Sequence, residues 1–268
     1  MTGRANPAMS STGRLGISEL TIGFGSRRVV AIDELRLGHA EILGLAGESG
    51  SGKSMTTLAI LGLAHTVGAT VSGSITLDGQ ELTGLNEQQL RDIRGRRIAA
   101  IFQSPSTAFN PVYRVGAVFT RALRLHGATK SEAPDRAAQA MRQVLLPPDL
   151  MRRYPSQLSG GQLQRVAIAL AIALRAEILL ADEPTSALDV TVQAEVLDLL
   201  RDLRESIGMS ILFISHDLAV VAELCDWVAV MREGLIVEQG PAGQVLSAPA
   251  HPYTAELLDS VPKLASPL

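Results

Sequence analysis

The residues Gly47-Glu48-Ser49-Gly50-Ser51-Gly52-Lys53-Ser54 fit the pattern G-x-x-x-x-G-K-[ST] in full. Glycines let the backbone curl until its N–H groups point inward at an anion, and a following helix adds its positive end. Lys53 brings a point charge to β- and γ-phosphate oxygens, and the Ser54 hydroxyl suits Mg²⁺. Further along, an apolar run ends in two acids, Asp182 and Glu183. Asp182 can orient a Mg²⁺ shell, and Glu183 can polarise an attacking water. Adjacent acids at a strand end are common, so the pair reads as hydrolytic only beside the phosphate loop. Between the two lies Leu158-Ser159-Gly160-Gly161-Gln162, whose small residues at a helix start expose backbone N–H groups to an anion. Alone, it would read equally well as a glycine-rich helix start without function.

Such groups need rigid carriers. The run 41–46 is apolar and ends in the glycine-rich loop, which predicts a strand, with a helix over 53–63 after it. A buried strand is predicted at 178–181. Val192, Val196, Leu199, Leu200 and Leu203 mark one face of a helix that ends near Gly208. A strand at 210–214, a helix from Leu218 and a hairpin around Glu233-Gly234 follow. Upstream, 16–37 is strand-like with a turn at Gly25-Ser26, and 72–77 is a strand closed by Asp78-Gly79. From 105 to 154 the character changes. Val115, Val118, Phe119, Ala122 and Leu123 recur at helical spacing, 133–144 reads as a second helix, and Pro147-Pro148 and Pro155 break the stretch. This predicts a helical insertion over about 104–165.

Hydrophobic residues make up 46% of the chain and charged residues 19%, enough to bury a sizeable core. The net charge of -3 provides no basic field for nucleic acid. A single cysteine, Cys225, excludes a disulfide framework and a four-cysteine cluster, and reads as a small buried hydrophobe. The first residues are small and polar, so 1–13 is expected to be a flexible tail and not a signal peptide. The most apolar stretch, 166–181, is interrupted by Arg175 and Glu177 and falls short of the about 20 residues of a spanning helix. The expected location is the cytoplasmic face of a membrane, held there by partners.

With these motifs in this order, the chain resembles the ATP-binding cassette (ABC) ATPases over nearly its whole length. The resemblance implies an α/β fold: a P-loop NTPase (RecA-like) core with a mainly parallel sheet, an antiparallel β subdomain and an inserted helical subdomain. Phe24, 29 residues before Lys53, takes the place of an aromatic that stacks on adenine. Gln103 matches the lid glutamine that touches Mg²⁺ and the attacking water. LSGGQ is the family signature, Ser186-Ala187-Leu188-Asp189 the loop at the dimer interface, and His216 the switch histidine at the γ-phosphate. A lone histidine after a strand is usually structural; its order among the other motifs reverses that reading.

GESGSGKS, Phe109-Asn110-Pro111-Val112, EPTSALDV and His251-Pro252-Tyr253-Thr254, followed by Val261-Pro262, look like one branch: importer ATPases for dipeptides, oligopeptides and nickel or nickel chelates. This divides the chain into an ATPase domain at 14–245 and a C-terminal extension at 246–268. The resemblance implies that ATP is sandwiched between Lys53 of one subunit and Ser159-Gly160-Gly161 of a second ATPase subunit, usually a heterodimeric relative. Two transmembrane permeases and an external solute-binding protein complete such a system, and nucleic acid has no part in it. Ala108, Phe109, Pro111 and Val112, with Tyr113 and Arg114 at the edge, are expected to form the groove that receives a permease helix. Leu163 and Met55 depart from the branch's frequent residues, but neither removes a group from the chemistry. Two rivals remain. A soluble cassette ATPase acting on nucleic acid or ribosomes would carry two cassettes, long coils or zinc sites. A regulatory nucleotide-binding subunit would lack Glu183 or His216, and both are present.

Overall fold

The structure, a computed structural model, describes residues 13–104 and 108–260. Residues 1–12 of the expected tail over 1–13, Pro105 to Thr107 of the expected helical insertion, and the Val261-Pro262 pair lie outside the described residues.

One ten-stranded sheet organises the chain, in the order β5-β4-β1-β2-β10-β9-β3-β8-β7-β6. The parallel part contains β3 (Ile42–Ala46), β6 (Ile98–Ile101), β7 (Ile178–Asp182), β8 (Ser210–Ser215) and β9 (Trp227–Arg232). Every residue of β3, β7 and β8 is buried, because helices cover both faces; such strands read as continuous apolar runs instead of alternating ones. Side chains still alternate between faces. Ile42, Leu179, Ile211 and Phe213 enter one core; Leu43, Leu45, Leu180 and Leu212 enter the other. The antiparallel part joins β1 (Leu15–Phe24), β2 (Arg27–Leu37), β4 (Thr70–Leu77) and the short β5 (Gln80–Glu81). The hairpin of β9 and β10 (Leu235–Pro241) links the two parts.

Helix α1 (Lys53–Ile60) packs in the second core. It ends sooner than the sequence predicts, because the backbone turns left-handed at Gly62 (φ 65°) and continues as a short 3-10 turn. Helix α2 (Glu87–Ile93) starts at a capping box, with Asn86 and Gln89 satisfying each other's N–H groups. The helical group of α3 (Val115–Leu125), α4 (Glu132–Gln143) and α5 (Gly160–Leu174) fills the first core with Val115, Phe119, Leu123, Ala137, Met141 and Val166. Leu163 is buried there too, which accounts for an apolar residue after the signature. Phe109 also belongs to that core, 5% exposed, and so is not available to the docking surface on which the sequence reading placed it. Its neighbours Ala108, Pro111 and Val112 are exposed. Helix α6 (Val190–Ile207), capped by Gly208, α7 (Leu218–Leu224), α8 (Ala242–Ser247) and α9 (Pro252–Ser260) complete the described chain.

Candidate active site

The strands β3, β8 and β7 are immediate neighbours and run parallel, so their carboxyl ends open at one edge of the sheet. In open α/β sheets ligands bind outside such ends. Here these ends deliver the phosphate loop after β3, His216 after β8, and Asp182 and Glu183 at the end of β7.

The loop 47–54 curls with Gly47, Gly50 and Gly52 at positive φ, and α1 begins at Lys53. Lys53 is 6% exposed. Its ammonium donates to the carbonyls of Gly47 (2.6 Å) and Glu48 (2.8 Å) and to the Ser51 hydroxyl (3.4 Å). Burial lowers its pKa, while the charges of Glu183, Asp182 and Glu48 oppose that fall. Ser49 is exposed at the rim.

Asp182 is 5% exposed, and burial raises its pKa against a hydrogen bond from Ser54. Its Oδ1 is buried without a partner among the described residues. An exposed Ser54 hydroxyl on a buried carboxylate that keeps one oxygen unclaimed fits a hard divalent cation with oxygen ligands. Glu183 takes a positive φ of 52°, uncommon for a residue with a side chain, while its N–H extends the ladder to Ile214 O (2.9 Å). Its carboxylate meets His216, whose Nδ1 lies 2.8 Å from both oxygens.

The signature is positioned differently. Ser159 and Gln162 cap α5 reciprocally: the Gln162 N–H donates to Ser159 Oγ (3.2 Å), and the Ser159 N–H to Gln162 Oε1 (3.1 Å). The N–H groups of Gly160 and Gly161 lie in the helix's first turn, where no intrahelical acceptor exists. A Cβ on Gly161 would come within 2.3 Å of Val192 Cγ1, so the signature start lies hard against α6. The segment 186–189 is beside it: Ser186 Oγ donates to Glu183 O (3.1 Å), and Asp189 caps α6 by accepting from Val192 N–H (3.0 Å). Gln103, exposed, lines a cleft of about 310 Å³ with Gly160, Gln164, Pro184, Ala187 and Leu188.

Thus one chain gathers the phosphate loop, Asp182, Glu183 and His216, while Gln103, Leu158 and Gly160 of the signature, and Ala187 and Leu188 line a cleft, and Ser186 joins the 186–189 segment to Glu183. Phe24 ends β1 with 38% of its surface exposed, on the hairpin whose Val30 presses against Gly52. One contact escaped the sequence reading: the Tyr253 hydroxyl accepts from the Glu48 N–H at 3.3 Å. The motif around Tyr253 was visible, but nothing in the sequence places it on the phosphate loop.

Residues 32–186 match the family model described as ABC transporter, and residues 237–268 match the oligopeptide/dipeptide transporter C-terminal region. A probable peptide ABC transporter ATP-binding protein of Sinorhizobium fredii is 46% identical over 83% of this chain and 68% of its own length. The dipeptide transport ATP-binding protein DppD of Escherichia coli is 42% identical over 94% of this chain and 79% of its own. Among solved structures, the dimeric post-hydrolysis state of the ATP-binding cassette MJ0796, bound to ADP and Pi, superposes with a TM-score of 0.73. It is 26% identical and the match covers 85% of this chain and 98% of that one. The site, the sheet and these likenesses agree: the chain belongs to the ABC transporter family, as one of its ATP-binding, ATP-hydrolysing subunits.

Proposed function

We propose that this subunit powers uptake of dipeptides or oligopeptides, hydrolysing ATP at the site formed by Gly47–Ser54, Asp182, Glu183 and His216. The observation that carries the catalytic part is the Glu183–His216 contact beside the phosphate loop. The loop amides and Lys53 hold the phosphates. Ser54, Asp182 and Gln103 would hold Mg²⁺, which supplies Lewis-acid charge on the phosphate oxygens when bound. Glu183 accepts a proton from the attacking water, and His216 keeps the carboxylate oriented toward it. Phe24 offers its open face to adenine.

The second half of the nucleotide site comes from another ATPase subunit. The start of α5, with Ser159 and Gly160 exposed and Gly161 buried behind them, suits an anion, which supports use of the signature in trans, with Ser186 to Asp189 at the interface. A heteromeric relative, two permeases that span the membrane, and an external solute-binding protein complete the assembly. Among the described residues no helix is long and apolar enough to cross a membrane, so the membrane-facing work falls to the permeases. The exposure of Ala108, Pro111 and Val112 supports docking of a permease helix there.

The peptide class rests on the C-terminal region match and on relatives named for peptide and dipeptide transport. Uptake of labelled dipeptide and of nickel, compared in cells with and without this chain, tests it. Loss of dipeptide uptake alone supports the reading. Loss of nickel uptake alone transfers the chain to metal import.

A further inference from the structure

We infer that the C-terminal extension forms part of the nucleotide site, with Tyr253 a positioning residue that fixes the neck of the phosphate loop. The inference rests on the assignment of 47–54 as that loop. The peptide unit between Gly47 and Glu48 is held from both sides. Its N–H donates to the Tyr253 hydroxyl at 3.3 Å, and its carbonyl accepts from the Lys53 ammonium at 2.6 Å. A hydrogen bond on one end of a peptide strengthens the bond at the other, so Tyr253 acts on the seat of Lys53 through the backbone.

Tyr253 is itself held firmly. It is 3% exposed, and its ring lies 4.6 Å from the Arg232 guanidinium, a cation–π contact that ties it to the end of β9. The same hairpin holds the loop, with Gly234 N–H donating to Ser51 O at 2.9 Å. It holds the extension too: Glu238 on β10 accepts from Ala250 N–H (2.7 Å) and His251 N–H (3.1 Å). His251 Nδ1 then accepts from Tyr253 N–H (3.2 Å), which sets the start of α9. Extension, hairpin and phosphate loop therefore form one closed set of contacts. A loop fixed before its ligand arrives loses less freedom on binding.

Tyr253→Phe in the full chain tests this, because it removes the hydroxyl and keeps the ring on Arg232. Equilibrium binding of MgADP and MgATP should weaken about 3- to 10-fold, as for one lost hydrogen bond, with the KM for ATP rising more than kcat falls and the melting temperature lowered by only about 2–4 °C. Amide hydrogen exchange in 250–260 of the wild-type chain should slow on addition of MgADP, and this slowing should shrink in Tyr253→Phe. Wild-type affinity in Tyr253→Phe, an affinity loss that disappears at temperatures where the variant is fully folded, or exchange indifferent to MgADP in the wild-type chain would each overturn the inference. Lys53→Ala separates the two readings. If it binds nucleotide like wild type, the loop assignment itself fails; if it does not bind while Tyr253→Phe binds normally, only the role of Tyr253 fails.

Discussion

His216 Nδ1 lies 2.8 Å from each carboxylate oxygen of Glu183, and the histidine side chain is 56% exposed where the glutamate is 12% exposed. The histidine is therefore the solvent-facing cover of a nearly enclosed carboxylate. His216→Ala should lower kcat by about 10²-fold, because Glu183, the proton acceptor, loses the partner that orients it, with ATP affinity little changed. Steady-state hydrolysis set beside equilibrium binding separates the two effects. A matching loss of affinity would make His216 a binding group only.

In the proposed site Lys53 and Phe24 act on opposite ends of the nucleotide, so their variants should differ in kind. Lys53→Ala removes a buried charge and should abolish both binding and hydrolysis. Phe24→Ala removes one stacking face worth about 1–3 kcal/mol, and should raise the KM for ATP while kcat stays near wild type. An unchanged KM would assign adenine to another group.

Much of this site is legible in the sequence, and what is not has physical causes. Strands β3, β7 and β8 are buried on both faces, so they appear as unbroken apolar runs beside glycines or acids. Strand β6 is only Ile98–Ile101, half alanine, after the basic stretch Arg94 to Arg97, and carries no such run. The predicted length of α1 overran because composition does not reveal where Gly62 turns left-handed. Phe109 looked like part of a surface motif because a sequence does not tell a core aromatic from an exposed one. The Tyr253–Glu48 contact joins residues 205 positions apart, beyond any local pattern.

The signature start has no room for a methyl group. Gly161→Ala would place Cβ 2.3 Å from Val192 Cγ1 and push α5 away from α6. Overpacking of this kind costs about 1–3 kcal/mol, so the melting temperature should fall, and Val192→Ala added to it should restore part of the loss. A Gly161→Ala chain that melts like wild type would contradict the close packing of α5 on α6.

Cys225 is buried, and desolvation, with a smaller push from Asp226, raises the pKa of its thiol. The folded thiol stays protonated at pH values where the unfolded one ionises, near the usual thiol pKa of about 8.5. Its contribution to stability is thus fully present below that pH and declines as pH rises beyond it. The native chain should resist iodoacetamide at pH 8 and react only on unfolding, and Cys225→Ala should flatten the loss of stability above pH 8.5. Rapid labelling of the folded chain would place the thiol at the surface.

In the proposed mechanism Glu183 activates water at a phosphate site built by this chain. Glu183→Gln keeps the size of the side chain and its reach to His216 but removes the charge, while Lys53 and the loop amides remain. The most direct measurement is ATP turnover by the purified Glu183→Gln chain, with ATP affinity measured on the same sample. Turnover should fall by about 10²-fold or more with affinity retained. Turnover near the wild-type rate would show that another group activates the water.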